Sequence, residues 1–521
     1  MAPRTAMLLA VLAALPCSTL VAQNDHDMAM PADSGPPPLY HNLGTLHRAI
    51  RTTSPIAQRY FDQGLRLTYA FNHGEAVRSF TYATTLDPDC AMCWWGIANA
   101  LGPNINAPMD TAANAAAYNA IERAAEGGTR QESAANRALV EATAARYAEH
   151  PQADRSGLDS AYAAKLRTAT RRFPDDPDIG ALFGEAMLDL RPWNQWLPDG
   201  KPQPGTLEAV AALERVIAKS PNHVGACHFY IHAIEASPTP EKALPCARRL
   251  PTLMPGAGHL VHMPAHIAIR LGDYAAAIQH NEHAVHADQM YLEGPHTDGF
   301  YGLAYPVHNW HFLSVAAAMI GRDSLAIDAA RHAALGIPPE LAKQVPPLEF
   351  WLPMEYFALV RFQRWGEMRN LPTPPNDLPY TRAMWLFAHG MADAHLDHAE
   401  DAANESAALT GMRQGFAPDA MVGLQSADRM LGIASEILQG TIASQEGNRD
   451  DAVAHLKAAV ALEDGLSYDE PPPWYIPARE LLGDELLAGG KKQEAAAVFR
   501  ADLRVHRKNA WATDGLRRAG G

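Results

Sequence analysis

The sequence predicts an all-α fold, a right-handed solenoid built from helical hairpins. Small, aromatic and proline positions recur along the chain at a spacing of about 34 residues. No convincing run of alternating apolar and polar residues, the signature of a strand, interrupts this pattern. Apolar residues make up 47% of the 521 residues, which suits a core shared among many stacked hairpins.

The repeat is clearest near the beginning of the chain, in a register that starts at Ala57. Small residues at Gly64 and Ala76 predict that two antiparallel helices pack closely, and Pro88 follows the second helix. With the aromatic residues Tyr60 and Phe80, this pattern is typical of the tetratricopeptide repeat (TPR). The same register recurs from Val224, Gly258, Ile433 and Ile476, and more weakly from near Ala91, Pro177, Val307 and Ala383. We expect about nine to eleven hairpins.

The chain divides into a leader and two arrays. Residues 1–22 join a basic start at Arg4 to a short apolar run and small residues up to Ala22, which predicts a cleaved secretory signal and a periplasmic or secreted protein. Residues 23–40 are predicted to be a disordered leader, 41–345 an N-terminal and central TPR array with a histidine-rich concave groove, and 346–521 a C-terminal TPR array. The longer segments 191–205 and 291–306 are either surface insertions or covers for the groove.

Charge and motifs exclude several functions. The net charge of −15 disfavours a nucleic-acid partner, and the apolar run at the start is too short to span a membrane. The chain contains no Walker loop, dinucleotide fingerprint, Gly-x-Ser-x-Gly elbow or His-Glu-x-x-His motif. A small molecule or a peptide in the groove therefore remains as the expected partner, and the sequence does not specify an oligomeric state.

Four cysteines remain after the predicted cleavage: Cys90, Cys93, Cys227 and Cys246. Trp94, not histidine, follows the Cys-x-x-Cys pair, so covalent haem attachment is disfavoured. No thioredoxin-like βαβ pattern surrounds this pair. A local disulfide between Cys90 and Cys93 is the favoured interpretation, with two free thiols as the alternative.

Histidines concentrate in one part of the chain, since 12 of the 23 lie between residues 223 and 311. His228 and His232 are four residues apart, as are His262 and His266, so each pair is expected to share one helix face. The two pairs are one repeat apart and occupy equivalent positions, which places them on adjacent first helices. We expect these four imidazoles to face the same groove and to bind a metal ion.

Further polar residues follow the same stripe. His259, His308 and His311 are predicted as additional ligands or as groups that support the ligands, and Glu185 and Glu235 as carboxylates that orient an imidazole or act as a catalytic base. Nitrogen ligands suit a transition metal ion such as Zn, Cu or Fe, without choosing among them. An open coordination position would suit a metal-dependent oxidoreductase or hydrolase.

Other interpretations stay open. A metal-free, histidine-lined groove could recognise an anionic peptide or a small molecule, and a non-catalytic scaffold or a metal carrier would use the same fold. His280, His283 and His286 follow the second helix and are expected to face mainly solvent. His73 is expected to be mainly structural. Two asparagines in a loop near the groove, Asn104 and Asn106, either bind a ligand or turn the chain.

Several segments are more specific than the bare repeat: "YFDQGLRLTYAFNHGEA", "CWWGIANALGPNINAPM", "HFYIHAIEASP", "GAGHLVHMPAHIAIRLGDYAAAI" and "HNWHFLSVAAAMIGR". On these segments the chain resembles a group of exported bacterial TPR proteins. The likeness covers most of residues 57–335. It implies a TPR fold with a concave binding surface and an exported protein, and it assigns no catalytic residue.

Overall fold

The protein is an all-α solenoid of TPR-type helical hairpins, as the repeat pattern predicts. The computed structural model describes residues 36–126, 128–296 and 299–521. The predicted signal and most of the predicted leader lie outside these residues. In the described part no helix is both long and apolar enough to cross a membrane.

The helices in the first part of the chain are α1 (Pro55–Tyr69), α2 (His73–Leu86), α3 (Ala91–Ala100), α4 (Asn114–Glu126), α5 (Ala134–Ala144), α6 (Ser156–Arg172), α7 (Pro177–Asp189), α8 (Thr206–Lys219), α9 (Val224–Ile234), α10 (Leu244–Leu253), α11 (Gly258–His262), α12 (Pro264–Leu271) and α13 (Tyr274–Glu293). They continue with α14 (Phe300–Met319), α15 (Asp323–Leu335), α16 (Pro339–Gln344), α17 (Met354–Arg361), α18 (Trp365–Arg369), α19 (Pro379–His395), α20 (Ala399–Gly415), α21 (Ala427–Gln445), α22 (Arg449–Glu463), α23 (Ala478–Ala488), α24 (Lys492–Val505) and α25 (Ala510–Arg518).

Short irregular elements complete the chain. Four 3₁₀ turns span Thr111–Ala113, Gly128–Gln131, Pro240–Ala243 and Pro346–Trp351. Two antiparallel strands, β1 (Met421–Val422) and β2 (Gln425–Ser426), form a small hairpin before α21.

A phenylalanine wedged between glycines holds successive hairpins together. The ring of Phe80 on α2 lies where a Cβ on Gly64 or Gly96 would fall, at 2.7 and 2.4 Å respectively. Phe499 on α24 occupies the same place between Gly483 and Gly515. The glycines therefore let the helix axes approach closely, and both phenylalanines are about 1% exposed. These contacts are the ones that the repeat register predicts for its small and aromatic positions.

In seven of the hairpins, the turn between the two helices has a residue with positive φ. Gly272, Gly321, Gly447 and Gly490 adopt φ between 69° and 83° at this place. The next residue donates its N–H to a carbonyl five residues earlier, as in the Schellman motif that ends many helices. Phe71, Gln363 and Asp397 adopt the same turn with φ of 58°, 54° and 63°.

Two compact units divide the chain. The first contains the residues up to Ile267 together with His283–Pro306, and the second contains Ala268–Glu282 together with Val307–Gly521. The boundary predicted at 345/346 falls inside the second unit.

The structure also corrects the predicted limits of two segments. The segment predicted as a long loop at 291–306 is largely helical, because α13 continues to Glu293 and α14 begins at Phe300. Tyr301 and Tyr305, four residues apart, bury one face of this turn. Residues 36–40, at the end of the predicted leader, are held against α1, where Tyr60 donates a 2.8 Å hydrogen bond to the Pro37 carbonyl.

Both cysteine pairs are bonded. The predicted local disulfide between Cys90 and Cys93 is formed at the start of α3. A second disulfide joins Cys227 on α9 to Cys246 on α10. The alternative of two free thiols at Cys90 and Cys93 is therefore wrong.

Candidate metal centre

Three buried imidazoles converge in the first unit. His228 and His232 lie one turn apart on α9, and His259 lies on the short helix α11. One ring nitrogen from each of them lies within 4.8 Å of the other two. Their exposed fractions are 0, 2 and 1%. We call these three residues the histidine trio.

The Nδ1 atoms of His228 and His232 make hydrogen bonds, which leave the Nε2 atoms of both rings facing the centre of the trio. The Nδ1 atom of His228 lies 2.8 Å from the Tyr69 carbonyl oxygen, and that of His232 lies 2.9 Å from Oε1 of Glu235. Because both partners are acceptors, each Nδ1 carries the proton and each Nε2 keeps its lone pair. The same arrangement fixes the ring orientation of many metal-ligating histidines.

The distances inside the trio match the size of a metal site. Nε2 of His228 and Nε2 of His259 are 3.0 Å apart. Tetrahedral nitrogen ligands at 2.0–2.1 Å from a metal lie about 3.3 Å from each other. Nε2 of His232 is buried and has no hydrogen-bond partner within the described part of the chain. A ring nitrogen in this state needs an explanation, and a metal ligand is one of the few available.

The N-terminus of α9 is fixed by another histidine. His223 caps the helix, since its Nδ1 accepts the Ala226 N–H at 3.0 Å, and its Nε2 lies 3.1 Å from Asp178. The hydroxyl of Tyr69 donates to the same carboxylate at 2.6 Å. Asp178 therefore holds both the start of α9 and the residue whose carbonyl orients His228.

A second histidine pair adjoins the trio. Nε2 of His262 and Nε2 of His266 are 2.9 Å apart, and Nδ1 of His266 lies 2.5 Å from Oε2 of Glu235. Glu235 thus joins His232 to His266 through its two oxygens. The helix expected to carry both histidines is broken between α11 and α12, because Pro264 has no N–H to continue the ladder.

The four histidines predicted as one ligand set are therefore arranged in two groups. His228 and His232 belong with His259, which was predicted only as an additional ligand, whereas His262 and His266 form the adjacent pair. Equal repeat positions therefore do not form one ligand set here.

Burial keeps the imidazoles of His228 and His232 neutral, and the neighbouring histidines keep Glu235 charged. Burial lowers the pKa of His228 well below its usual range and also lowers that of His232, although Glu235 opposes the second shift. Burial alone would raise the pKa of Glu235, but His266 and His232 outweigh it and lower the pKa to about 2. Neutral rings beside an ionised carboxylate are the protonation state that a metal ligand set requires.

Two aromatic residues with strained backbones cover the trio. The ring centre of Phe71 lies 4.5 Å from that of His228, 6.1 Å from His232 and 5.6 Å from His259. Trp193, at φ 58°, places its ring 5.7 Å from His232. In the same 191–205 segment, Nε1 of Trp196 donates to a carbonyl of α9 at 2.8 Å. This segment therefore packs on α9 and covers the histidines.

Loop 101–110 reaches the trio through a tyrosine. Asn104 turns the chain, since its side-chain oxygen accepts the N–H groups of Asn106 and Ala107 at 2.9 and 3.0 Å. The Asn106 amide lies 3.5 Å from the Tyr305 hydroxyl, and the Tyr305 ring lies 4.5 Å from that of His259. The sequence pattern did not predict these contacts, because they join residues far apart in the repeat array.

The remaining predicted residues do not belong to the trio. His308 and His311 are on α14 in the second unit, where their rings pack against Phe312 and Phe350. Burial lowers the pKa of His311 to about 3. Glu185 lies on α7 in a separate buried group around Arg146, described below. The expected solvent stripe is confirmed for His283 and His286, which are exposed, whereas His280 is half-buried.

Comparisons with known proteins show likeness only to solved repeat structures. No family model matches the chain, and no curated protein matches it. The TPR domain of P58(IPK) is 11% identical, covers 89% of this chain and 97% of that chain, and has a TM-score of 0.22. A human IFIT1 dimer with m7Gppp-AAAA is 13% identical over 90% of each chain, with a TM-score of 0.32.

A third similar structure is the APC/C hetero-tetramer Cut9–Hcn1, at 12% identity over 90% of this chain and 77% of that chain, with a TM-score of 0.33. Likeness at this level carries no argument about function. The candidate site is therefore interpreted from its own geometry.

Proposed function

We propose that this TPR protein binds one transition metal ion through His228, His232 and His259. The observation that carries the proposal is the convergence of three buried ring nitrogens, of which Nε2 of His232 has no other partner in the described residues. Three imidazoles suit Zn, Cu or Fe, and a bound ion would keep a coordination position open for a small molecule.

Glu235 supports the ligands in this proposal instead of acting as a base. Its two oxygens contact His232 and His266, so neither is directed at a reactant. A carboxylate in this position orients the ring and raises the basicity of the ligating nitrogen. The geometry therefore supports metal binding more directly than it supports a particular reaction.

Metal analysis of the purified protein tests the proposal. We expect about one transition metal ion per chain after dialysis, and loss of that metal in the His228→Ala, His259→Ala double variant. His283→Ala is the matched control, because His283 is exposed on α13 and should leave the metal content unchanged. Metal at about 100 times its Kd should also stabilise the wild type by about 2.7 kcal/mol.

Two outcomes would oppose the metal proposal. A wild-type protein without stoichiometric metal, even after incubation with Zn²⁺, Cu²⁺ and Fe²⁺ in turn, would favour a metal-free scaffold that binds a small molecule or a peptide. Metal that remains in the double variant would place the ion outside the trio.

We also propose that the protein is exported from a bacterial cell. The support is the basic and apolar pattern of residues 1–22, together with two disulfides, which persist mainly outside the reducing cytosol. Mass spectrometry of the mature protein from a bacterial periplasmic fraction should give an N-terminus near Gln23. An intact Met1 in all fractions would contradict export through this signal.

A further inference from the structure

A second group of buried charges lies in the first unit, on α7 and the segments packed against it. Glu185 and Asp189 are one turn apart on α7 and therefore share a face. Glu185 is 5% exposed, and the side chain of Asp189 is 3% exposed. Arg146, which follows α5, donates to Asp189 at 2.6 Å and to the Pro103 carbonyl at 2.8 Å.

The charges in this group do not balance. Arg146 also approaches Asp159 at 3.8 Å, and Arg155 approaches the same Asp159 oxygen at 3.4 Å. Three carboxylates, those of Glu185, Asp189 and Asp159, therefore face two guanidinium groups. His73, the other nearby titratable base, adds no charge at neutral pH, because burial and the charge of Arg146 lower its pKa to about 4.

The two carboxylates on α7 have unfilled acceptor positions. None of the described residues donates a hydrogen bond to the carboxylate of Glu185, and Oδ1 of Asp189 is buried without a partner among them. The unfilled donors here, Nε of Arg146 and Nε of Arg155, belong to guanidinium groups that pair with Asp159. Buried acceptors without donors are costly unless a proton or a bound cation satisfies them.

Aromatic residues of this group hold Arg146 in place. The guanidinium of Arg146 lies over the Tyr162 ring at 4.5 Å, and the Tyr162 hydroxyl contacts the amide of Asn99 at 3.3 Å. Tyr147, beside Arg146, bonds to the Ala98 carbonyl.

We propose that Glu185 and Asp189 form a binding site for the protonated amine of a small molecule. A primary ammonium group supplies three donors and one positive charge, which are what the two carboxylates lack. The site is independent of the metal proposal, since neither carboxylate belongs to the histidine trio. It adjoins the trio through His73, whose ring packs on Phe71 at 5.9 Å.

The alternative to a bound amine is a proton on the carboxyl pair. Burial raises the pKa of Glu185 to about 7, although Arg146 opposes the shift, and burial and Glu185 raise that of Asp189. An ammonium ion competes with this proton. Its Kd should therefore fall about tenfold between pH 6 and pH 8 and change little at higher pH, because the carboxylate is then ionised.

Ligand-observed NMR titration with butylammonium chloride tests the site, with butan-1-ol as the neutral probe of the same length. EDTA is present throughout, so that the amine cannot bind through a metal. We expect butylammonium to bind at least tenfold more tightly than butan-1-ol at pH 8. Glu185→Gln should weaken butylammonium binding at least tenfold and remove its pH dependence, while remaining folded because a buried charge has been removed.

The matched control is Glu349→Gln in the second unit. Glu349 is also a buried carboxyl, but its Oε2 already accepts the N–H and hydroxyl of Thr381 at 2.9 and 3.0 Å. That variant should bind butylammonium as the wild type does. Equal binding of amine and alcohol, a pH-independent Kd, or unchanged binding by Glu185→Gln would each overturn the proposal.

The His232→Ala variant separates this proposal from the metal site. Butylammonium binding that persists in this variant supports the carboxylate site whatever the metal analysis shows. Loss of amine binding there, with the Glu185 variant unaffected, would place the amine at the histidines instead.

Discussion

Replacing Phe71 with glycine should destabilise the protein, whereas replacing Gln363 with glycine, at an equivalent turn, should stabilise it. Phe71 and Gln363 both occupy the turn between the helices of a hairpin, at φ 58° and 54°, where other hairpins of this chain have glycine. A side chain other than glycine in this conformation costs about 1–2 kcal/mol. The two residues differ in burial, since Phe71 is 2% exposed and Gln363 is exposed.

The magnitudes follow from that difference. Phe71→Gly relieves the backbone strain but removes a ring that packs on the histidine trio, and loss of a buried phenylalanine costs about 3–5 kcal/mol. We therefore expect a net destabilisation of about 2–3 kcal/mol. Gln363→Gly removes no buried surface. The relief of backbone strain exceeds the cost of the greater chain entropy of unfolded glycine, so this variant should be more stable than the wild type by about 0.5–1 kcal/mol.

Urea unfolding monitored by circular dichroism measures both changes in stability. Metal titration measures a second quantity, the metal affinity, which a loss of packing elsewhere in the protein would not change. Phe71→Gly should weaken metal binding by about tenfold, as loss of a group that supports a ligand shell typically does. Gln363→Gly should leave metal affinity unchanged. If Phe71→Gly were as stable as the wild type, or bound metal equally well, the ring would not be what retains this strained residue.

Three further predictions concern groups that hold the same region. Asp178→Asn should destabilise by about 1.5–3 kcal/mol in thermal or urea unfolding, because Arg48 would lose a buried charged partner at 2.8 Å while keeping Asp176 at 3.0 Å. Burial would raise the pKa of Asp178, but its hydrogen bond from His223 and the charge of Arg48 lower it, so its contribution is present at neutral pH and is lost as the pH falls below about 4. Glu235→Gln should weaken metal binding by about 10–100-fold in a chelator competition assay, with the fold retained by circular dichroism. Replacing Cys227 and Cys246 with alanine opens a link with a sequence separation of 19 and should cost about 3 kcal/mol in the same unfolding assay.

The repeat pattern predicted the fold well because its signals are local. Gly64 and Phe80 lie in one hairpin, and their spacing alone implies a close helix contact that the structure contains. The limits of α14 were harder to predict, because Pro306 and the glycines before it are typical of a loop. Burial of Tyr301 and Tyr305 outweighs that local preference.

The candidate site could be predicted only in part, because a repeat register gives positions along helices but not the offset between them. The register placed His228, His232, His262 and His266 on one stripe. It did not reveal that His259, at a different repeat position, joins the first pair. The strain at Phe71 was not predicted, although Phe71 occupies the repeat position that Gly272 and Gly447 hold in the registers from Gly258 and Ile433.

The groups that orient the trio come from distant parts of the chain, so the proposed metal binding should depend on the integrity of the whole first unit. The carbonyl that accepts from His228 belongs to Tyr69, 159 residues earlier. Asp178 then holds the hydroxyl of the same tyrosine at 2.6 Å. A ligand set supported in this way is rigid only when the hairpins that carry Tyr69 and Asp178 are packed. Partial unfolding of either hairpin should therefore release the metal before the helices themselves unfold.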